Sequence, residues 1–326
     1  MKHIIYLTTI LLIVLSSCKK DDETKSTILP NLDRFTISSL AYDGTNQLWV
    51  ATDTGLFKSV TSGYELFDFG VDGEVTTLAF DQSINSLWIG TTDGIYQIKL
   101  GDDDSTVVSI ALDQLSHTTI WSVYVDENSE KWFGTGRGIT RNANDKWQKD
   151  KFKMNISGAI VNLQFYEYAV TSIGIWEGDY YFATAGNKLW RAFDWQPAVD
   201  AFTGATMWDP PYNGFAIADT MYSVFIDSKG QQWFGGKEGV QVHIGHDPKS
   251  DNTSYYDELV NPIVHCIAED VNGKIWVGTE NGISIFDGIN WTALTATLPN
   301  NYVTAITIHG NKAWVGTKQG LAEIAY

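Results

Sequence analysis

The chain has 326 residues, with 22 Lys and Arg against 39 Asp and Glu and a formal net charge of −17. A surface of that sign repels polyphosphate, which excludes nucleic acid as a default partner. With 44% hydrophobic and 19% charged residues the chain can bury a large core and is not disordered, and its 29 Gly, 13 Trp, 15 Tyr and 15 Phe favour aromatic strands and tight turns.

Met1, Lys2 and His3 precede the apolar run Ile4 to Leu15. The run is too short to span a bilayer and suits the core of a secretion signal. Leu15-Ser16-Ser17-Cys18 resembles the lipobox at which bacteria attach diacylglycerol to cysteine. Residues 1–17 then form a lipoprotein signal peptide, 18–26 a lipidated tether, and 27–326 the folded domain. Lys19-Lys20-Asp21-Asp22-Glu23 resembles the acidic export tag of Bacteroidetes lipoproteins, which implies an outer membrane lipoprotein exposed at the cell surface. With Cys18 lipidated, Cys266 has no partner for an intramolecular disulfide. It sits in the apolar run Ile263 to Ile267 and reads as a buried strand residue.

After residue 26 one unit recurs seven times. Its core reads LWVATDTGLF from Leu48, LWIGTTDGIY from Leu87, KWFGTGRGIT from Lys131, YYFATAGNKLW from Tyr180, QWFGGKEGVQ from Gln232, IWVGTENGIS from Ile275 and AWVGTKQGLA from Ala313. The aromatic anchors are Trp49, Trp88, Trp132, Tyr181, Trp233, Trp276 and Trp314, between 38 and 52 residues apart. A period of that size means small sheets stacked or arranged radially. Ahead of each core runs an apolar segment: ISSLAYD from Ile37, VTTLAFD from Val75, IWSVYVD from Ile120, AVTSIGIW from Ala169, MYSVFID from Met221, IVHCIAED from Ile263 and VTAITIHG from Val303. These predict innermost strands buried on both faces. The expected fold is therefore all-β: a seven-bladed propeller of four-stranded antiparallel blades. The anchors read as wedge fillers between neighbouring sheets, and the Gly or Ala two residues on as points of close approach between blades. Only Leu321 to Tyr326 follow the last core, so the missing outer strand of the last blade is expected from Thr27 to Leu32, closing the ring without a covalent bond.

The units resemble the two-component regulator propeller repeat, L-W-[IV]-G-T-x-x-G-[LI], nearest in Leu87 to Tyr96 and Ile275 to Ser284. That resemblance implies a sensor-like propeller, since such repeats form the periplasmic sensors of hybrid histidine kinases in Bacteroidetes that respond to carbohydrate breakdown products. The sequence departs from those sensors in carrying seven repeats with no kinase segment, so it reads as a stand-alone propeller.

In a propeller, the turns between second and third strands gather with the loops leading to the inner strands on one face. There the turns present Arg137, Asn187, Lys237 and Glu280 among other polar groups suited to a hydroxyl-rich ligand, the two cations suiting an acidic sugar. A second platform is the aromatic insert between units four and five, Phe193 to Tyr222, with Trp195, Trp208 and Tyr212, read as an irregular loop whose rings fill no wedge. A more basic insert runs from Lys146 to Tyr168.

No acid–base pair or metal cluster stands out. The His are scattered, His243 to Asp247 lacks a second ligand pair, and Asp102 to Asp104 lacks the spacing of a calcium loop. The residues thus name no catalytic group, cofactor or metal. A noncatalytic module that captures a glycan or oligosaccharide stands first. A lyase or hydrolase with its site at the channel mouth, and a scaffold for an outer-membrane protein partner, stand as alternatives.

Overall fold

The computed structural model describes residues 25–71, 74–101, 105–149, 152–156, 159–163, 168–186, 189–196, 201–208, 220–245 and 253–326. Apart from one short 3-10 turn, Leu112–Gln114, its regular elements are β-strands in seven sheets. The innermost strands are Ile37–Tyr42, Val75–Asp81, Ile120–Val125, Ala169–Trp176, Met221–Ile226, Val264–Glu269 and Val303–His309. Each lies against the next, and Val303–His309 lies against Ile37–Tyr42, so the sheets form a closed ring. We call these blades one to seven in chain order.

Seven four-stranded blades were expected; six sheets have that form, and the fourth differs. It holds six strands, adding Phe152–Ile156 and Ala159–Leu163 outside Ala201–Trp208. Phe152–Ile156 joins by a parallel pairing, Lys153 with Ala201 and Met154 with Phe202. The two inserts read as irregular or separate in sequence therefore share one sheet. In the last blade the closing strand is Lys25–Ile28, not Thr27 to Leu32. Lys25 pairs with Ala325 and Ile28 with Ala322. Leu32 follows it as a fully buried side chain in the seam between blades seven and one.

The second strand of a blade, not the inner one, is sealed on both faces. Leu48–Thr52, Ser86–Thr91, Lys131–Thr135 and Ile275–Thr279 are buried throughout, whereas the inner strands are largely half-buried because they border the axis of the ring. The anchors fill the wedges as expected: Trp233 packs on Val264, Ile267 and Val277, and Trp276 on Val303 and Val315 of the next blade. The small residue two positions on lets that next blade approach. A Cβ at Gly235 would lie 2.5 Å from Val264 Cγ1, and one at Gly316 would lie 2.6 Å from Ile37 Cγ2.

A carboxylate braces four of the anchors. In blade six, Asp270 Oδ1 accepts from the backbone N–H of Asn272 (2.9 Å) and Lys274 (3.0 Å), and its Oδ2 accepts from the Trp276 indole at 3.0 Å. Asp43, Asp126 and Asp227 hold the turns and indoles of blades one, three and five in the same way. This is an Asx-turn with a second task, since one carboxylate shapes the turn and satisfies a buried donor. Blade seven carries His309 at the equivalent place, and the Trp314 indole nitrogen is buried without a partner. In blade two, Asp81 holds the equivalent place ahead of a turn one residue longer and is drawn to Ser129 and to Lys131 (3.2 Å) of blade three, leaving the Trp88 indole without a partner. Burial would raise the Asp81 carboxyl, but hydrogen bonds from Ser129, Ser83 and Lys131 and the Lys131 charge together hold it below its ordinary value.

Candidate functional site at the axial rim

Which loops share a face follows from backbone hydrogen bonds. The turn after the second strand donates to the residue just ahead of the inner strand: Asp53 to Thr36 (3.1 Å), Lys237 to Thr220 (3.3 Å), Glu280 to Ile263 (3.2 Å) and Lys318 to Tyr302 (3.1 Å). These turns and the starts of the inner strands form the rim face. The turns that join first to second strands, such as Asp43 to Gln47, lie on the opposite face.

Every inner strand carries a register shift near its start, so Ser38, Thr76, Trp121, Thr171, Tyr222, His265 and Thr304 occupy equivalent bulged positions on the rim. Four of the seven are hydroxyl residues that tie one blade to the next. Thr76 donates to the Ile120 carbonyl at 2.5 Å and Thr171 to Met221 at 2.7 Å, while Ser38 and Thr304 donate to Val75 and Ile37. The other three are rings, and two of them build a cluster.

His265 lies between two tyrosines, its ring centroid 4.9 Å from Tyr222 and 4.8 Å from Tyr302, stacked on the latter. His265 Nε2 is 3.3 Å from Glu280 Oε1, and the same carboxylate lies close enough to the Tyr302 phenol to raise its pKa. Lys318 Nζ sits 3.5 Å from the Tyr302 ring centroid, a close cation–π contact. Burial lowers the His265 pKa, the Glu280 hydrogen bond and charge oppose that, and the Lys318 charge adds to the lowering. His265 is therefore neutral at pH 7. Burial, then Glu280, pushes the Tyr302 phenol well above its ordinary range, so it remains a donor. Trp121, 44% exposed, stands at the corresponding position of blade three. The rim thus offers aromatic faces, a carboxylate acceptor, an ammonium donor and phenol groups, which suits a molecule with apolar C–H faces and several hydroxyls.

The structure brings two of the polar rim-turn residues, Glu280 and Lys318, into this cluster. Arg137 and Lys237 are exposed on the rim turns of blades three and five. Asn187 and Tyr212 lie outside the described residues. Trp195 and Trp208 are not in an irregular loop. They occupy paired strand positions in the fourth sheet, Trp195 opposite Phe202 and Trp208 opposite Leu189. The sequence reading missed Tyr222, His265 and Tyr302 because their segments look like plain core strands. For Tyr222 and His265 a signal was present: aligned on the repeat, the bulged column holds a small hydroxyl residue in four units and a ring in the other three.

On the opposite face a cleft of about 430 Å³ separates blades two and three, lined by Phe80, Asp81, Val125, Glu127 and Ser129 among others. Of the Asp81–Lys131 ion pair already described, the Asp81 side lines this cleft. Among the described residues no group of three or more His, Cys, Asp or Glu could hold a metal ion. Cys266 packs against Gly278 between blades six and seven, and burial pushes its thiol up to about 12, which makes it a poor nucleophile.

Comparison with known proteins places the repeat and the fold. Residues 258–281, spanning the start of blade six and the turn that carries Glu280, match the two component regulator propeller family, so the chain carries a repeat of that family. No curated protein matches the chain. Among solved structures, it is similar to the extracellular domain of the putative hybrid two component system BT3049 from B. thetaiotaomicron, at 20% identity and a TM-score of 0.73 over 92% of this chain. The chain spans about two fifths of that structure, 41% of its length. It is similar also to virginiamycin B lyase from Staphylococcus aureus, as a catalytically inactive variant with quinupristin (13% identity, TM-score 0.67, 93% of this chain and 99% of that one). A third similar structure is YCF48 bound to D1 peptide (12% identity, TM-score 0.62, 93% and 96%). An extracellular domain of a two component system, a lyase and a protein bound to a peptide on one architecture show that the fold is a propeller and leave the function to the site.

Proposed function

We propose that this chain is a surface-tethered, noncatalytic, sensor-like binding module for a carbohydrate, held on the rim face by Tyr222, His265, Glu280, Tyr302 and Lys318. In this reading the six-stranded sheet counts as a blade, making seven. The observation that carries the proposal is the cluster itself: stacked half-buried rings around a carboxylate and an ammonium group, where four of the seven bulged positions carry only a Ser or Thr. Sugar C–H faces stack on Tyr302 and Trp121, while Glu280 and Lys318 supply an acceptor and a donor for ring hydroxyls. Arg137 and Lys237 add exposed cations on the same face for an acidic sugar. Similarity to an extracellular two component system domain supports the sensor-like part. The lipobox around Cys18 and the acidic run after it support an outer membrane lipoprotein, and among the described residues no helix is long and apolar enough to cross a membrane.

The test is binding of a soluble form lacking residues 1–18 to a panel of neutral and acidic oligosaccharides by calorimetry, with reducing-end release followed on the same samples. Tyr302→Ala and Lys318→Ala should each weaken binding about tenfold, equivalent to about 1.4 kcal/mol. Binding that neither variant alters would refute the site. Release of reducing ends would make the protein an enzyme, and the absence of any glycan binding would leave a protein ligand as the better reading.

A further inference from the structure

The closing strand fixes the face from which a tether leaves. Lys25 pairs with Ala325, Ala325 pairs with Lys312, and Lys312 pairs with His309 across the turn between the first and second strands of blade seven. That turn lies on the face opposite the rim. The strand then runs toward the rim, where Leu29 donates to Leu321 and Phe35 accepts from Gly320 before the chain turns into Ile37. Everything ahead of Lys25 therefore starts from the far face, at the outer edge of blade seven. Seven positions separate this point from the end of the signal, Cys18 to Thr24. Seven residues reach at most about 25 Å when fully extended. The strands between the two faces hold six or seven residues, about 20 Å. A tether that leaves from the far face and is little longer than the ring is deep favours that face against the bilayer, with the rim cluster turned away.

The far face has a contact suited to that position. The two most exposed large apolar residues among those described are Ile289 (85%) and Val271 (68%). Both belong to far-face turns of blade six, the neighbour of the tethered blade: Val271 between its first and second strands, Ile289 between its third and outer strands. Exposed Lys274 lies in the first of these turns. Aliphatic tips beside a lysine suit the headgroup boundary of a bilayer, where an isolated pair is too small for a stable protein interface.

We infer that the far face of blade six is a lipid-contact surface, which docks on the membrane carrying the Cys18 anchor and directs the Tyr222–His265–Tyr302 cluster to the medium. The inference rests on the proposed lipidation of Cys18 and is independent of what the rim binds. It is tested with the full lipidated chain in phosphatidylethanolamine vesicles containing a brominated lipid. A fluorophore is placed at Ile289→Cys or, as the rim control, at Asp53→Cys in blade one. The high Cys266 pKa keeps that thiol from competing for label at neutral pH. Quenching by brominated lipid should be at least threefold stronger for the label at position 289 than at 53. Equal quenching, stronger quenching at 53, or no quenching at either would overturn the inference, even with mass spectrometry showing lipid on Cys18. A spectrum showing Cys18 unmodified would overturn the lipidation reading, and this orientation with it.

Discussion

Replacing Asp270 by Ala tests whether the bracing carboxylate holds a blade together. The substitution removes three hydrogen bonds, two from backbone N–H groups and one from the Trp276 indole. Their losses differ in consequence. Asn272 and Lys274 are exposed, so water can replace the carboxylate at those amides, whereas Trp276 is 1% exposed and its N–H is left buried. A buried donor without an acceptor costs about 1–3 kcal/mol, and loss of the turn constraint adds about 1 kcal/mol, for a total of about 2–4 kcal/mol. At about 2 °C per kcal/mol for a chain of this size, Tm should fall by about 4–8 °C. Urea unfolding of Asp270→Ala, Trp276→Phe and the double variant should show a coupling of at least about 1 kcal/mol. Blade seven supplies the control, since the Trp314 indole has no acceptor and Trp314→Phe loses no such bond. An Asp270→Ala loss below about 0.5 kcal/mol, or zero coupling with Trp276, would refute the reasoning.

Deleting residues 1–33 removes the closing strand and the buried Leu32; Leu32 alone is a loss of about 2–5 kcal/mol, so the melt should shift down by about 4 °C or more, and an unchanged melt would show that the ring closes without it. Gly316→Ala drives a methyl to within 2.6 Å of Ile37 across the same seam and should destabilise by about 1–3 kcal/mol in denaturant unfolding, against little effect for Gly44→Ala, where the nearest atom, Phe80 Cζ, would stand at an ordinary 3.5 Å. The lowered pKa of His265 sets a pH dependence. Below its ordinary value near 6.5 the unfolded chain takes up a proton that the folded chain refuses, so stability should be full above that pH and fall as pH drops toward the folded-state value. His265→Gln should flatten that part of a Tm-versus-pH curve.

The repeat made most of the ring legible before any coordinates. A tryptophan with a glycine two residues on can recur along a chain only where the same wedge and the same close approach recur, and Trp276 with Gly278 shows both. The non-covalent closure was legible from the shortage of chain after the last core, but its placement slipped by two residues at the start, since Lys25 and Ser26 carry no apolar signal. The fourth sheet was not legible. Phe152–Ile156 and Ala201–Trp208 are about 50 residues apart and meet through a parallel pairing that no local pattern announces. The rim cluster was half legible. Glu280 stands in an obvious turn, whereas His265 and Tyr222 sit inside apolar runs, and only the bulge shared by all seven inner strands turns them to one place.

The pairing of Ile28 with Ala322 has a consequence for the order of events during synthesis. Most blades are complete once their own stretch of chain exists, and local pairing suffices to form them. The last cannot be complete until Gly320–Ala325 has been made, because its outer strand, Lys25–Ile28, lies far earlier in the chain: Ile28 and Ala322 are 322 − 28 = 294 residues apart. Until that pairing forms, Lys25–Ile28 has no partner and the outer edge of Gly320–Ala325 is open to any other strand nearby. Ring closure is therefore the slowest pairing to find, spanning almost the full sequence, and the step at which a crowded nascent chain is most exposed to mispairing.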